Sequence, residues 1–281
     1  MMAANDPIKL QRLSGPLIST ALDTPELAIT YEELSDAQFE HGKQLISDLK
    51  VRAGERVLDI GTGTGRLAAY VAKIVGPSGQ VIGMDPLPLR VEIAKSKSIA
   101  NFDARLGQAE DLSEFAEMTF DVVYLNSVFH WVPDKPRALA EIMRVLRPGG
   151  RVGLNCQDAA RPNESRLLVR RALAEAGIEA DHRSVHPSLG LSSAALTALL
   201  TAAGFISEAV EFRTLVDTFR DVATLIAWSK SSAFGNFLIG VSAADQRAIR
   251  DALSRLVEWK ITPHGIQLER YLLFATARKP S

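Results

Sequence analysis

Asp59-Ile60-Gly61-Thr62-Gly63-Thr64-Gly65, which follows Arg56-Val57-Leu58 and runs into Arg66-Leu67-Ala68, decides how this chain is read. A strand, a carboxylate and three alternate glycines lead into a turn that opens a helix. Glycine lets the backbone take positive φ and approach a ligand closely. The first N–H groups of the helix are left without intrahelical partners and face that ligand. Such an elbow suits several nucleoside ligands, and two details separate them. The dinucleotide fingerprint G-x-G-x-x-G/A needs a small sixth residue; counted from Gly61, that position is Arg66. Asp59 also places negative charge where a pyrophosphate is repelled and an ammonium group is attracted. The ligand that fits carries a nucleoside and a cationic amine.

Outward from the elbow, strands and helices alternate. Arg56–Ile60 reads as a strand and Leu67–Val75 as a helix stopped by Gly76-Pro77-Ser78-Gly79. Gln80–Met84 is a strand ending at Asp85-Pro86, Leu89–Lys97 a helix, and Asp103–Leu106 and Phe120–Leu125 further strands. Leu139, Ile142, Met143 and Leu146 fall on one helical face, with Asp134 as N-cap and Pro148-Gly149-Gly150 as the stop. Arg151–Asn155 is a fifth strand. The alternation predicts an α/β, doubly wound and mostly parallel Rossmann-like sheet. Before it, residues 1–30 read as a loose lead-in and Ser35–Leu49 as a helix. After it come helices near Glu164–Ala176 and around Leu196–Ala203, a strand Ser207–Leu215, an aromatic-rich helical stretch, and a last strand Gln267–Ala277. Ser242 and Asp245 form a capping-box pattern within that stretch.

In its glycine elbow, in the acid ending the second strand and in the Arg147-Pro148-Gly149-Gly150-Arg151 turn, the chain resembles the class I S-adenosylmethionine-dependent methyltransferases, over roughly Leu49–Asn155. The resemblance implies that fold with S-adenosyl-L-methionine as cofactor. It makes residues 1–48 an N-terminal helical lid. Residues 49–281 become a methyltransferase domain with helical insertions at about 157–190 and 217–263.

Four strand ends then describe one site. The first contributes Asp59, Gly61, Thr62, Gly63 and Gly65. The second contributes Asp85 and Pro86, an acid about twenty residues past the glycines, where ribose recognition expects one. The third is followed by Gln108, Ala109 and Glu110; the family often has an acid where Gln108 stands, and the amide oxygen can accept the adenine amino group equally well. The fourth ends at Asn126-Ser127-Val128-Phe129-His130-Trp131, which the family places beside the methionine moiety and the reacting methyl. Tyr31 and Gln38 precede the first strand and could close over the methionine end or the acceptor. His130 is the base candidate because imidazole titrates near working pH; packing under the cofactor is the equal alternative. Arg66 reads as a surface helix residue.

Composition narrows the partners. The 281 residues carry a net charge of -1 with no basic run, and the Pro-Pro signature of nucleic-acid amino-methylating enzymes is missing after Asn126, so a nucleic-acid partner is not expected. The one cysteine, Cys156, allows no intramolecular disulfide or cysteine-rich zinc site. No metal ligand set is expected. The lack of an apolar leader or a membrane-length apolar stretch points to a cytoplasmic protein with no membrane partner.

An aromatic, weakly charged cover suggests a small, fairly apolar acceptor. The segments Ser231–Leu238 and Leu268–Phe274 are similar to fungal secondary-metabolite methyltransferases. That likeness implies thiol S-methylation of a reduced epidithiodiketopiperazine such as gliotoxin's dithiol. O-methylation of a carboxylate or hydroxyl is the alternative. An NAD-dependent oxidoreductase, a noncatalytic cofactor-binding subunit, and a cyclase or decarboxylase on the same fold remain open.

Overall fold

The computed structural model describes residues 23–178, 189–232, 238 and 240–281. The chain forms helices α1 (Pro25–Leu34) and α2 (Asp36–Leu49), then β1 (Arg56–Ile60), α3 (Arg66–Val75), β2 (Gln80–Asp85), α4 (Pro88–Ser96), β3 (Phe102–Leu106) and β4 (Phe120–Asn126). There follow α5 (Lys135–Val145), β5 (Leu146–Gln157), α6 (Glu164–Glu175), α7 (Ser193–Ala202), β6 (Ile206–Phe219), α8 (Val222–Ser232), α9 (Ala243–Val257), β7 (Ile261–Thr262) and β8 (Gly265–Arg278). The sheet order is β3-β2-β1-β4-β5-β8-β6. The first five strands pair in parallel, while β8 is antiparallel to both β5 and β6. Strand order reverses at β1, between β2 and β4, where open α/β sheets place their ligands.

The period-two alternation of a strand sorts the core. Val57 packs with Leu45, Leu49 and Val71 on the α2–α3 face, and its neighbour Leu58 packs with Leu139, Ile142 and Leu200 on the α5–α7 face. Both sheet faces are therefore covered, as parallel sheets require. A third core is separate. It joins Leu173 of α6, Leu225 and Trp228 of α8, Leu253 of α9 and Leu268 of β8, with Tyr31 and Leu34 of α1 packed against it. Helices from three parts of the sequence thus share one apolar cluster above the sheet.

Most elements fall where the sequence places them, including the Asp134 cap, which accepts from the Arg137 N–H at 3.0 Å, and the Ser242 cap, which accepts from the Asp245 N–H at 3.1 Å. Three expectations need correction. The loose lead-in stops earlier than residue 30: Thr24 caps a helix, its hydroxyl accepting from Leu27 N–H at 3.3 Å, and Pro25 occupies the first turn, where its missing N–H costs nothing. The Pro148-Gly149-Gly150 turn does not end the helix. That helix stops at Val145, and the turn bulges within β5, between the pairs Phe120↔Leu146 and Val122↔Arg151. The insertion expected from residue 217 begins later, because β6 stays paired with β8 as far as Phe219↔Ile266. The polar loop Asp181–Ser188 and part of Ser231–Leu238 lie outside the described residues. Among the described residues, no helix is long and apolar enough to cross a membrane.

Candidate functional site

A cavity of about 350 Å³ opens at the carboxyl ends of β1, β2 and β4. Gly61 turns the chain out of β1 at φ +77°, and a Cβ there would stand 2.2 Å from Val128 Cγ2. The loop after β4 thus closes directly on the elbow, and only glycine fits between them. Gly65 also has positive φ but lies away from the cavity: a Cβ there would meet Ala94 at 2.9 Å. Of the residues expected to touch the ligand, Gly65 is corrected to a packing glycine that seats α3 against α4.

Asp85 ends β2 with both oxygens already aimed by backbone. Its Oδ2 accepts from Gly63 N–H at 2.8 Å and its Oδ1 from Leu87 N–H at 3.0 Å. Each carboxylate oxygen keeps acceptor capacity, and the side chain lines the cavity with Pro86. Gln108, Ala109 and Glu110 also line the cavity, as do Trp131 and Val132. Asn126 lines the cavity from β4, its amide donating to the Gln38 carbonyl at 3.0 Å. The fully buried Asn155 holds this loop: its Oδ1 accepts from Ser127 N–H at 2.6 Å and its amide donates to Asn126 Oδ1 at 2.7 Å.

Beside the cavity lies a narrow recess of about 30 Å³, bounded by Tyr31, Gln38, Asp59, Thr62 and Asn126. Here the structure shows what composition could not. Asp59 Oδ2 and Gln38 Oε1 are buried acceptors without a partner at ordinary hydrogen-bond distance, although the hydroxyls of Thr62 and Tyr124 stand close enough to Asp59 to favour its ionised form. Orphaned buried polar atoms are costly and rare, and two acceptors facing one small space call for a donor such as an ammonium group. Burial pushes the Asp59 carboxyl up to about 7, so an arriving cation would favour its ionised form. An amino-acid ammonium in the recess, a ribose at Asp85 and a base at the Gln108 wall match S-adenosyl-L-methionine part by part.

Tyr31 covers this arrangement. A Cβ at Gly63 would lie 3.2 Å from its ring, Arg90 stands over the ring at 4.2 Å, and Trp228 stacks on it at 5.9 Å between centroids. Burial raises the Tyr31 phenol, which keeps it a neutral donor rather than a base. His130 does not line the cavity. Its ring packs at 5.0 Å from Trp131, and burial with nearby Arg166, Lys135 and Arg270 pushes its pKa down to about 3. The geometry fits the packing alternative, not the base. Arg66 is more than a surface residue: its guanidinium donates to Glu32 O at 3.2 Å and Ser35 Oγ at 3.0 Å and pairs with Asp36 at 2.5 Å, fastening α1 and α2 to the elbow helix.

Sequence reasoning missed the latch of Arg66, the pocket contact of Arg90, and a buried cluster of His41, Asp217 and Arg270. No short motif marks any of them.

Comparison with known proteins agrees with this geometry. Residues 58–154 match the family model described as a methyltransferase domain. The chain is 38% identical over 117 residues to a demethylmenaquinone methyltransferase of Lactobacillus johnsonii, covering 40% of this chain and 48% of that protein. It is 27% identical over 225 residues to a trans-aconitate 2-methyltransferase of Deinococcus radiodurans, covering 79% of this chain and 85% of that one. Against several other curated relatives the chain likewise spans about half of their length. A solved S-adenosylmethionine-dependent methyltransferase of Aquifex aeolicus superposes with a TM-score of 0.54 at 15% identity, over 92% of this chain and 99% of that chain, which speaks for the fold. The elbow, the sheet order and the matched segment agree: residues 58–154 are similar to a methyltransferase domain, and the cleft fits S-adenosyl-L-methionine as cofactor.

Proposed function

We propose that this protein transfers the methyl group of S-adenosyl-L-methionine to a heteroatom of a small, largely apolar molecule. The observation that carries the reading is the pair of orphaned acceptors, Asp59 Oδ2 and Gln38 Oε1, in the recess beside Asp85. In this reading Asp59 and Gln38 hold the ammonium group, Asp85 the ribose, Gln108 and Ala109 the adenine, and Tyr31 and Asn126 the methionine end. The sulfonium methyl is already electrophilic when bound. The residues then have to align the acceptor, exclude water and receive a proton where the acceptor carries one. Tyr31 lines the cavity and packs against the apolar cluster of Leu225, Trp228 and Leu268, which in this reading backs a water-excluding cover and favours an apolar acceptor.

Within that class a thiol of a secondary metabolite, of the reduced epidithiodiketopiperazine type, is the favoured acceptor. A thiol near pKa ~8.5 needs little help to react. O-methylation of a small carboxylate is the second reading; the Deinococcus relative supports it, being aligned over 79% of this chain and bearing a carboxylate substrate in its name. The deciding experiment is a screen of thiols, phenols and carboxylates with the purified chain, following a methyl mass increment. Transfer to thiols alone supports the first reading and transfer to carboxylates alone the second. No binding of S-adenosylhomocysteine by calorimetry would defeat both.

A further inference from the structure

Within the sheet, Asp59 stands between two neighbours on one face. The register pairs it with Gly83 of β2 on one side and Tyr124 of β4 on the other. Laterally paired residues of a parallel sheet project to the same face, and Val57, Val81, Val122 and Tyr124 share the apolar cluster under α2 and α3. Gly83 brings no side chain to this row, and Thr62 fills the space. A Cβ at Gly83 would stand 2.6 Å from Thr62 Oγ1. The Thr62 hydroxyl and the Tyr124 phenol thus flank the Asp59 carboxyl from opposite sides. Asp59 and Thr62 line the recess with Gln38, and the fully buried Tyr124 lies behind them.

Asp59, Thr62 and Tyr124 are 2%, 7% and 0% exposed, so bulk solvent does not satisfy them. Asp59 Oδ2, Thr62 Oγ1 and Tyr124 Oη all lack a partner at ordinary hydrogen-bond distance. A phenylalanine would fill the Tyr124 site without that cost, and a buried hydroxyl is kept where it has a partner to serve. Such bonds are often long in a ligand-free site and tighten in the complex. Burial pushes the Asp59 carboxyl up to about 7; the Thr62 and Tyr124 hydroxyls oppose that rise, and the charge on Asp85 adds to it. Burial, with the Asp59 charge second, holds the Tyr124 phenol well above its ordinary range, so it stays protonated and donates. The other ionisable groups facing the recess are the Tyr31 phenol of α1, which burial keeps neutral, and Arg66 of α3, paired with Asp36 of α2.

We propose that Tyr124 and Thr62 are positioning residues for Asp59, their hydroxyls donating to its carboxylate and aiming it at the ammonium group of the ligand. The proposal rests on the methyl-transfer reading and deepens it. A carboxyl shut away from water keeps its proton and offers an ammonium group only a neutral partner. Two donors on the carboxylate favour the charged form instead, and leave it lone pairs for the incoming N–H groups. Tyr124 does this from the far side of Asp59, so its hydroxyl sets the strength of the ammonium contact without shaping the recess. Gly83 belongs to the same device, because any side chain there would displace the Thr62 hydroxyl.

The test is Tyr124→Phe in the full chain, which keeps the buried ring and removes only the hydroxyl. Thr62→Val, on the other flank, is the second variant and is read by the same criteria. The Asp59 carboxyl is titrated without ligand by carbon-13 aspartate labelling, its signal assigned by its loss in Asp59→Asn. Affinity for S-adenosylhomocysteine is measured by calorimetry from pH 6 to 8.5. In each variant the Asp59 midpoint should move up by about one pH unit, the loss of one hydrogen bond to the charged form. Affinity should then fall about fivefold at pH 7 and return to within about twofold of the wild type at pH 8.5. Lost packing would instead weaken binding equally at every pH. That result, or an unmoved midpoint, overturns the proposal. Failure of the wild type to bind S-adenosylhomocysteine strikes the methyl-transfer reading, and the carbon-13 midpoints still judge the two hydroxyls.

Discussion

The two ends of the cleft are built differently. On the cofactor side, residues 59–64, 85–86, 108–110 and 126 come from consecutive strand ends of one matched segment, 58–154. Much of that wall is backbone: glycine elbows, N–H groups clamped on Asp85, and a loop held by Asn155. On the other side, Tyr31 of α1, Gln38 of α2 and Ser232 of α8 line the cleft, and a contact that holds them spans a long separation: Arg90 and Ser231 lie 141 residues apart. Backbone geometry serves a ligand whose shape never changes. Side chains from distant segments can be exchanged without touching the sheet, which suits the half that chooses the acceptor.

The sharpest way to break this contrast is to place the same substitution in each half. Gly61→Ala puts a methyl 2.2 Å from Val128 Cγ2 at φ +77°. Left-handed strain and overpacking together cost about 3 kcal/mol, or about 100-fold in S-adenosylhomocysteine affinity by calorimetry. Gly177→Ala also has positive φ, +69°, but nothing stands within 4 Å. It should cost only about 1 kcal/mol of stability and leave the affinity unchanged. Equal losses of affinity in the two variants would erase the distinction.

The pH dependence is next in size. Asp59, raised to about 7 by burial, must be ionised to hold an ammonium group. Affinity should then fall as pH drops below about 7, approaching tenfold per unit, and Asp59→Asn should weaken binding and flatten the profile. The sign for the free protein is opposite. The folded carboxyl binds its proton more tightly than the unfolded one, so stability from this group is present at low pH and is lost as pH rises from about 4 through 7. Thermal melts with and without ligand at pH 5.5 and 7.5 would read both trends, and parallel profiles would remove Asp59 from the recess.

The smallest effect belongs to the latch between the halves. Arg66→Ala removes contacts to Glu32, Ser35 and Asp36. Partly exposed ion pairs contribute up to about 1 kcal/mol, so release of S-adenosylhomocysteine in stopped flow should quicken about fivefold and become less sensitive to salt. An unchanged release rate would separate lid closure from this residue.

Strand ends and helix starts were legible because each is signalled locally: alternation in Val57-Leu58, the cap at Asp134, the glycines at positions 61, 63 and 65. So were most of the cavity's walls, since the doubly wound order dictates which strand ends meet. Gly65 was misjudged because a ligand-facing glycine and a helix-packing glycine have the same sequence signature. For His130 base and packing stayed equal alternatives, because chain proximity to the cleft does not say which way a side chain turns. Its pKa is lowered by burial and by Arg166 and Arg270, which lie far along the chain.

The sequence by itself determined the sheet, the glycine elbow and the class of cofactor, because these depend on residue types within a few positions of one another. The tertiary structure alone decided that Asp59 and Gln38 share a recess, that Arg66 ties α1 and α2 to the elbow helix, and that His41, Asp217 and Arg270 gather in one buried cluster. A motif records short-range backbone demands. Buried polar partners drawn from separate strands and helices are fixed by packing, and packing leaves no periodic trace along the chain.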